Sequence, residues 1–172
     1  YMTGLKMKSL CARLDTFVDG RMLDDNASIL VEYEGGAKGL FWSSQIAVGS
    51  DNALRIRVYG SKAGLEWSQE SPNHLTVHYL DKPSETLSRG RNELYPMGQS
   101  LVRIPSGHPE GYFEAFANIY GAFIDALQRK KQGLAPDPEA ADYPGVQAGI
   151  RGVRFIGKCV ESSDKGAAWV DF

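Results

Sequence analysis

The side chains best suited to chemistry lie in one short stretch, Arg103-Ile104-Pro105-Ser106-Gly107-His108-Pro109-Glu110-Gly111-Tyr112. An imidazole can take or give a proton near neutral pH, a phenol can donate or accept, and a guanidinium can hold an anionic or hydroxylated ligand. The residues behind His108 read as a helix, because Phe113, Phe116, Ala117, Tyr120, Ile124 and Leu127 recur at helical spacing. Pro109 suits the first helical position, where its missing N–H does no harm. Arg129, Lys130 and Lys131 fall in the last turn, where the helix dipole favours cations, and Gly133 can end it. The pattern predicts a helix from about Pro109 to Gln132, docked on a core, with His108 at its positive end. That position favours the neutral imidazole, which can accept a proton from a substrate. A capping histidine packed on a sheet is the alternative. Glu110 reads as a dipole partner, and a solvated arginine is the alternative for Arg103.

Other polar groups carry weaker signals. Gln45, Asn52 and Arg55 lie near one strand end and could bond sugar hydroxyls, though turn and edge polarity explains them as well. His74 and His78 alternate on a strand without a third ligand, so they read as surface or edge residues. Cys11 and Cys159, the only cysteines, sit far apart in apolar contexts and read as free thiols. No Ser nucleophile elbow is present, and no glycine-rich loop passes from a strand into a helix. The chain is therefore expected to bind no nucleotide or metal of its own.

The elements that must position these groups come in two blocks. The first half reads as sheet: Met7 to Val18, Ala27 to Tyr33, Lys38 to Val48, Leu54 to Tyr59, Leu65 to Gln69 and Leu75 to Tyr79. Gly35-Gly36 supplies the positive φ of a hairpin turn. Lys82 to Pro105 reads mostly as loop, and a long structureless stretch is often functional. A second helix runs from about Pro144 to Ser163, after a Pro-rich connection at Leu134 to Glu139. Its stripe is Val146, Ile150, Val153, Ile156 and Val160. Gly149, Gly152 and Gly157 within it each cost roughly 1 kcal/mol relative to Ala, which implies close packing against a neighbour. Gly166 can end that helix, and Ala168-Trp169-Val170 can form a final edge strand. Strands first and helices second give an α+β fold, a largely antiparallel, open-faced sheet with helices packed on one face. Phe41, Trp42 and Ile46 make a bare wet face on that sheet unfavourable, so a second copy or another domain is expected to cover it.

Bulk properties exclude several classes. A net charge of -2 gives no basic surface for nucleic acid. No apolar run reaches the roughly 20 residues that span a bilayer. The start, Tyr-Met-Thr-Gly-Leu-Lys, lacks a signal peptide's apolar region, so a cytoplasmic protein is expected. Met2-Thr3-Gly4-Leu5 reads as a helix tail running into a strand, which suggests a fragment.

Several motifs in order resemble the C-terminal domain of the glucose–fructose oxidoreductase / inositol dehydrogenase family. They are Gly-His-Pro-Glu-Gly-Tyr at 107–112 with Glu-Ala-Phe-Ala-Asn-Ile-Tyr at 114–120, Asp25-Asn26-Ala27-Ser28, Val58-Tyr59-Gly60-Ser61-Lys62-Ala63-Gly64, and Asp142-Tyr143-Pro144-Gly145-Val146-Gln147-Ala148-Gly149. The resemblance implies a dihydrodipicolinate-reductase-like C-terminal fold over residues 1–172. It implies a substrate and dimerisation half whose partner, a Rossmann domain binding NAD or NADP and carrying a catalytic Lys, is absent from these residues. The implied parent reaction is hydride transfer between a nicotinamide cofactor and a secondary alcohol of a sugar or cyclitol, with the fragment alone inactive. His108 and Tyr112 would line the substrate side, with Arg103 as a further candidate. A non-catalytic stand-alone binding or assembly module is the rival reading.

Overall fold

A computed structural model describes residues 2–91, 96–135, 137 and 143–172, with Met97 described by its backbone alone. Tyr1, Asp142, and Pro136, Pro138 and Glu139 of the proline-rich connection lie outside the described residues. The chain forms two compact units, Tyr1–Ser50 with Pro144–Phe172, and Asp51–Tyr143.

In the first unit, alternation and paired glycines build an antiparallel sheet. Strands β1 (Met7–Asp15), β2 (Asn26–Tyr33) and β3 (Lys38–Ser44) pair in sequence, with Gly35 and Gly36 at φ +82° and +91° closing the β2–β3 hairpin. Leu10, Ala12, Ile29 and Val31 point to one face and form the core with Cys159 and Val170. The edge beyond β1 is finished by the two-residue strand Val170–Asp171, which pairs only with Ser9 and Leu10. Past that point the C-terminal helix, Val146–Asp164, continues the edge with side chains. Ser162 Oγ accepts the Ala12 N–H at 2.8 Å and donates to the Ala168 carbonyl at 2.6 Å, and Ser163 Oγ accepts the Leu14 N–H at 3.1 Å. Gly166, at φ +73°, follows the helix, as expected.

The second unit carries the sheet β4 (Arg55–Tyr59), β5 (Ala63–Ser68), β6 (His74–Tyr79) and β7 (Glu85–Ser88), antiparallel throughout and in sequence order. Two helices follow, α1 (Pro96–Ser100) and α2 (Tyr112–Lys131), and the helix Val146–Asp164 of the first unit is α3, with Val170–Asp171 as β8.

The α+β class read from the sequence holds, with the strands divided between two antiparallel sheets. Several details differ. The strands expected to reach Val18 and Val48 stop at Asp15 and Ser44. The expected loop at 82–105 contains β7 and α1; four residues of β7 are too few to show a period, and its pairing with β6 decides it. On α3 the side chains facing the sheet are Phe155, Cys159 and Ser162, while Val146, Ile150, Val153, Ile156 and Val160 are exposed. The three α3 glycines are exposed too, and a Cβ on any of them would meet nothing within 4 Å, so close packing within this structure does not account for them. No residue of α2 is buried, so its apolar stripe is an open surface rather than a docked one.

Candidate functional site

All three predicted substrate-side residues belong to one segment, 101–112, which leads into α2. Its geometry is set by groups that the sequence does not flag. Helix α2 begins at Tyr112 rather than Pro109, with Gly111 as N-cap. Glu114 accepts the Gly111 N–H at 2.8 Å, which is half of a capping box, and that bond holds its carboxyl below the usual carboxylate range. His108 therefore sits four residues before the first helical residue, outside the reach of the helix dipole.

The segment is irregular, so its backbone groups need partners other than a ladder. Glu110 supplies most of them. It is buried and is not a dipole partner, which corrects the sequence reading. Its Oε1 accepts the backbone N–H of Arg103 at 2.6 Å and that of Ile104, and its Oε2 lies 3.3 Å from Arg89 Nη1. Arg89, just after β7, donates from Nη1 to the Ile104 carbonyl at 2.8 Å and from Nη2 to the His108 carbonyl. Its Nε donates to Asn73 Oδ1 at 2.6 Å. Asn73, just before β6, also donates to the Glu110 carbonyl at 2.9 Å and accepts the Glu110 N–H at 3.2 Å. One carboxylate, one guanidinium and one amide thus tie both ends of the segment to the second sheet.

What the segment presents is His108. Its side chain is exposed and has no hydrogen-bond partner among the described residues, while its backbone is held on both sides by Arg89 and by its own N–H to the Pro105 carbonyl at 3.2 Å. Such a ring is free to bond a ligand. Tyr112 opens α2 and packs its ring on Phe116 at 4.8 Å between centroids, with most of its surface open. Arg103 is more engaged: its Nε donates to Asn118 Oδ1 at 2.6 Å, and Asn118 in turn donates to the Leu101 carbonyl at 2.8 Å. Its guanidinium is thereby fixed against α2.

The remaining candidates are distributed elsewhere. Gln45 follows β3, Asn52 lies in a bend before β4, and Arg55 opens β4. His74 Nδ1 lies 3.2 Å from Ser71 Oγ, and His78 Nδ1 lies 2.8 Å from Ser84 Oγ. Among the described residues no group of three or more His, Cys, Asp or Glu is placed to hold a metal ion, and no helix is long and apolar enough to cross a membrane. Both cysteines are free. No described helix follows a strand through a glycine-rich turn, the arrangement that cradles a dinucleotide's pyrophosphate.

Arg89 and Asn73 are the site residues that sequence reasoning missed, and Glu110, read there as a dipole partner, was given the wrong role. They are separated by 16 to 37 positions, and no short motif joins them. The one available signal was Glu110 in an otherwise irregular stretch beside two prolines.

Residues 5–172 match the model of an oxidoreductase family's C-terminal alpha/beta domain, that of the glucose–fructose oxidoreductase and inositol dehydrogenase enzymes. The chain is 40% identical over 172 residues to an uncharacterized oxidoreductase, YfiI, of Bacillus subtilis (strain 168), covering 99% of this chain and 44% of that protein. The structure of an oxidoreductase from Sinorhizobium meliloti is similar at a TM-score of 0.93 and 43% identity, over 98% of this chain and 47% of that one. An inositol dehydrogenase homolog from Azotobacter vinelandii, complexed with NADH and myo-inositol, is similar at a TM-score of 0.91 and 42% identity, over 98% of this chain and 45% of that one. The chain spans less than half the length of these relatives.

Proposed function

Since the chain belongs to the glucose–fructose oxidoreductase / inositol dehydrogenase family as its C-terminal α/β domain, we propose that it is the substrate-binding and dimerisation half of a dehydrogenase. The reaction would be oxidation or reduction at a secondary alcohol of a sugar or cyclitol, with NAD or NADP held mainly by an N-terminal Rossmann domain. The observation that carries the reading is His108: an exposed ring without a partner, on a loop whose backbone is fixed by buried groups. A solvated histidine has no need of such support, whereas a residue that must meet a substrate hydroxyl does. The 42% identical relative complexed with NADH and myo-inositol supports the polyol and the cofactor class. Tyr112 and Arg103 complete the substrate side in this reading. The protein is cytoplasmic, with no nucleic-acid or membrane partner.

The test is His108→Asn in the whole protein, assayed with myo-inositol and NAD. Loss of one hydrogen bond to the reacting polyol predicts a fall in kcat/KM of about 10- to 100-fold with unchanged folding. Full activity in the variant, or its unfolding, rejects the assignment.

The homo-oligomer reading rests on the first sheet's outer face. Register places Cys11, Leu30 and Leu40 in one row and Ser28 beside Trp42 in the next, all opposite the core face. Leu40 is 72% and Trp42 62% exposed. Pairing of this face between two copies would bury them. Light scattering over a dilution series should show a dimer, and a strict monomer at high concentration rejects sheet pairing.

A further inference from the structure

The Arg89–Glu110–Asn73 cluster does more than close a loop. Its polar atoms act on six backbone groups: the N–H of Arg103, Ile104 and Glu110, and the carbonyls of Ile104, His108 and Glu110. The Arg89 and Glu110 side chains are only 15% and 6% exposed. A buried ion pair is a poor device for stability alone, because apolar residues of the same volume commonly serve as well. What it supplies is direction. A guanidinium is a rigid planar fork, and here its three nitrogens point to three different parts of the unit. One of them reaches the carbonyl of His108 itself.

We propose that Arg89 and Glu110, aligned by Asn73, are positioning residues that set the His108 ring against a bound polyol. The inference rests on the reading of His108 as a substrate-side residue. Arg89 acts through the peptide of His108. Its removal therefore leaves the imidazole in place chemically but releases it spatially.

The decisive variant is Arg89→Lys in the whole protein. A single ammonium can keep the charge balance with Glu110, but it cannot serve Asn73, Ile104 and His108 together. Two readouts apply. In the first, kcat and KM for myo-inositol are measured for Arg89→Lys, His108→Asn and the double variant. The expected result is a fall in kcat/KM of about tenfold for Arg89→Lys, and a double variant no worse than His108→Asn alone, the non-additivity of two residues acting as one. In the second, the His108 ring C–H resonance is followed without substrate, with His78 as the internal reference. Arg89→Lys should shift or broaden the His108 signal and leave that of His78 in place.

A full additive loss in the double variant, or an Arg89→Lys variant as active as the native protein, overturns the positioning role while His108 keeps its own. A silent His108→Asn overturns the substrate reading and this inference with it. An unmoved His108 resonance overturns the inference whatever the turnover. Should Arg89→Lys fail to fold, Asn73→Ala takes its place in both readouts. It leaves the ion pair intact and removes the three side-chain bonds of Asn73 that aim it.

Discussion

Ser162→Ala tests how the first sheet is closed on its short edge. Ser162 and Ala12 are both 0% exposed, and the Ser162 hydroxyl is where the Ala12 N–H finds its acceptor. Alanine fits the same space and removes that acceptor. The Ala168 carbonyl, the other partner, lies on an exposed residue where water can replace the hydroxyl. The loss is therefore one buried, unsatisfied donor, worth about 1–3 kcal/mol. For a chain of this size each kcal/mol shifts Tm by about 2–4 °C, so a mid-range loss predicts a fall of about 4–8 °C. Circular dichroism melts and urea titrations of the full chain read it directly, with a lower midpoint and an unchanged m-value. Ser163→Ala, whose partner Leu14 is only half-buried, should cost less. A Ser162→Ala melt within about 1 °C of the native one would refute the argument, because a buried N–H cannot lose its acceptor at no cost. Equal losses in the two variants would refute the ranking by burial.

Three further perturbations follow from the backbone and the charges. Gly149→Ala, on the exposed face of α3 with nothing within 4 Å of a new Cβ, should stabilise the chain by about 0.5–1 kcal/mol. Gly90→Ala has the opposite sign: φ is +76° and the Cβ would lie 3.2 Å from the Ser106 nitrogen, so thermal melts should show a loss of about 1–2 kcal/mol or more. Glu161 is held down from 4.5 to about 2 by hydrogen bonds from Lys165 at 2.7 Å and Lys158 at 2.9 Å. A depressed folded value means that its stabilisation is fully present above about pH 4.5 and is lost as pH falls through about 2. A carboxyl carbon titration should place its midpoint near 2, Glu161→Gln should remove that acid sensitivity, and a midpoint above 4 would contradict the pairing.

Local chemistry was legible in the sequence and long-range chemistry was not. Gly35-Gly36, Gly133 and Gly166 mark a hairpin and two helix ends because positive φ is a property of single residues. Leu75 and Val77 declare a strand through their alternation. Pro109 pointed to a helix start three residues too early, and the competing signal was Glu114, three residues after Gly111. The α3 stripe was misassigned because periodicity says that a face will be buried, not by what. Here the sheet takes Phe155, Cys159 and Ser162, and the more apolar face stays open. His108 and Tyr112 could be chosen by residue type. Glu110 could not, since its meaning depends on Arg89 and Asn73, whose approach is a tertiary fact.

The edge pairing of Leu10 with Val170 also fixes an order of events in synthesis. The two residues are 160 positions apart, whereas Leu10 and Val31 pair across one connection. Loop-closure entropy adds about 0.6 kcal/mol per doubling of length, so joining β1 to β8 costs about 2 kcal/mol more than closing that nearer pair. On the ribosome, residues 51–143 emerge as an uninterrupted unit and can fold while the first unit still lacks its helix and its last strand. Until Ser162 and Val170 leave the exit tunnel, β1 carries unpaired N–H groups along one side. The nascent chain therefore holds an adhesive strand while residues 51–172 are being made. Slowed elongation anywhere between residues 51 and 172 should lengthen that exposure and increase aggregation.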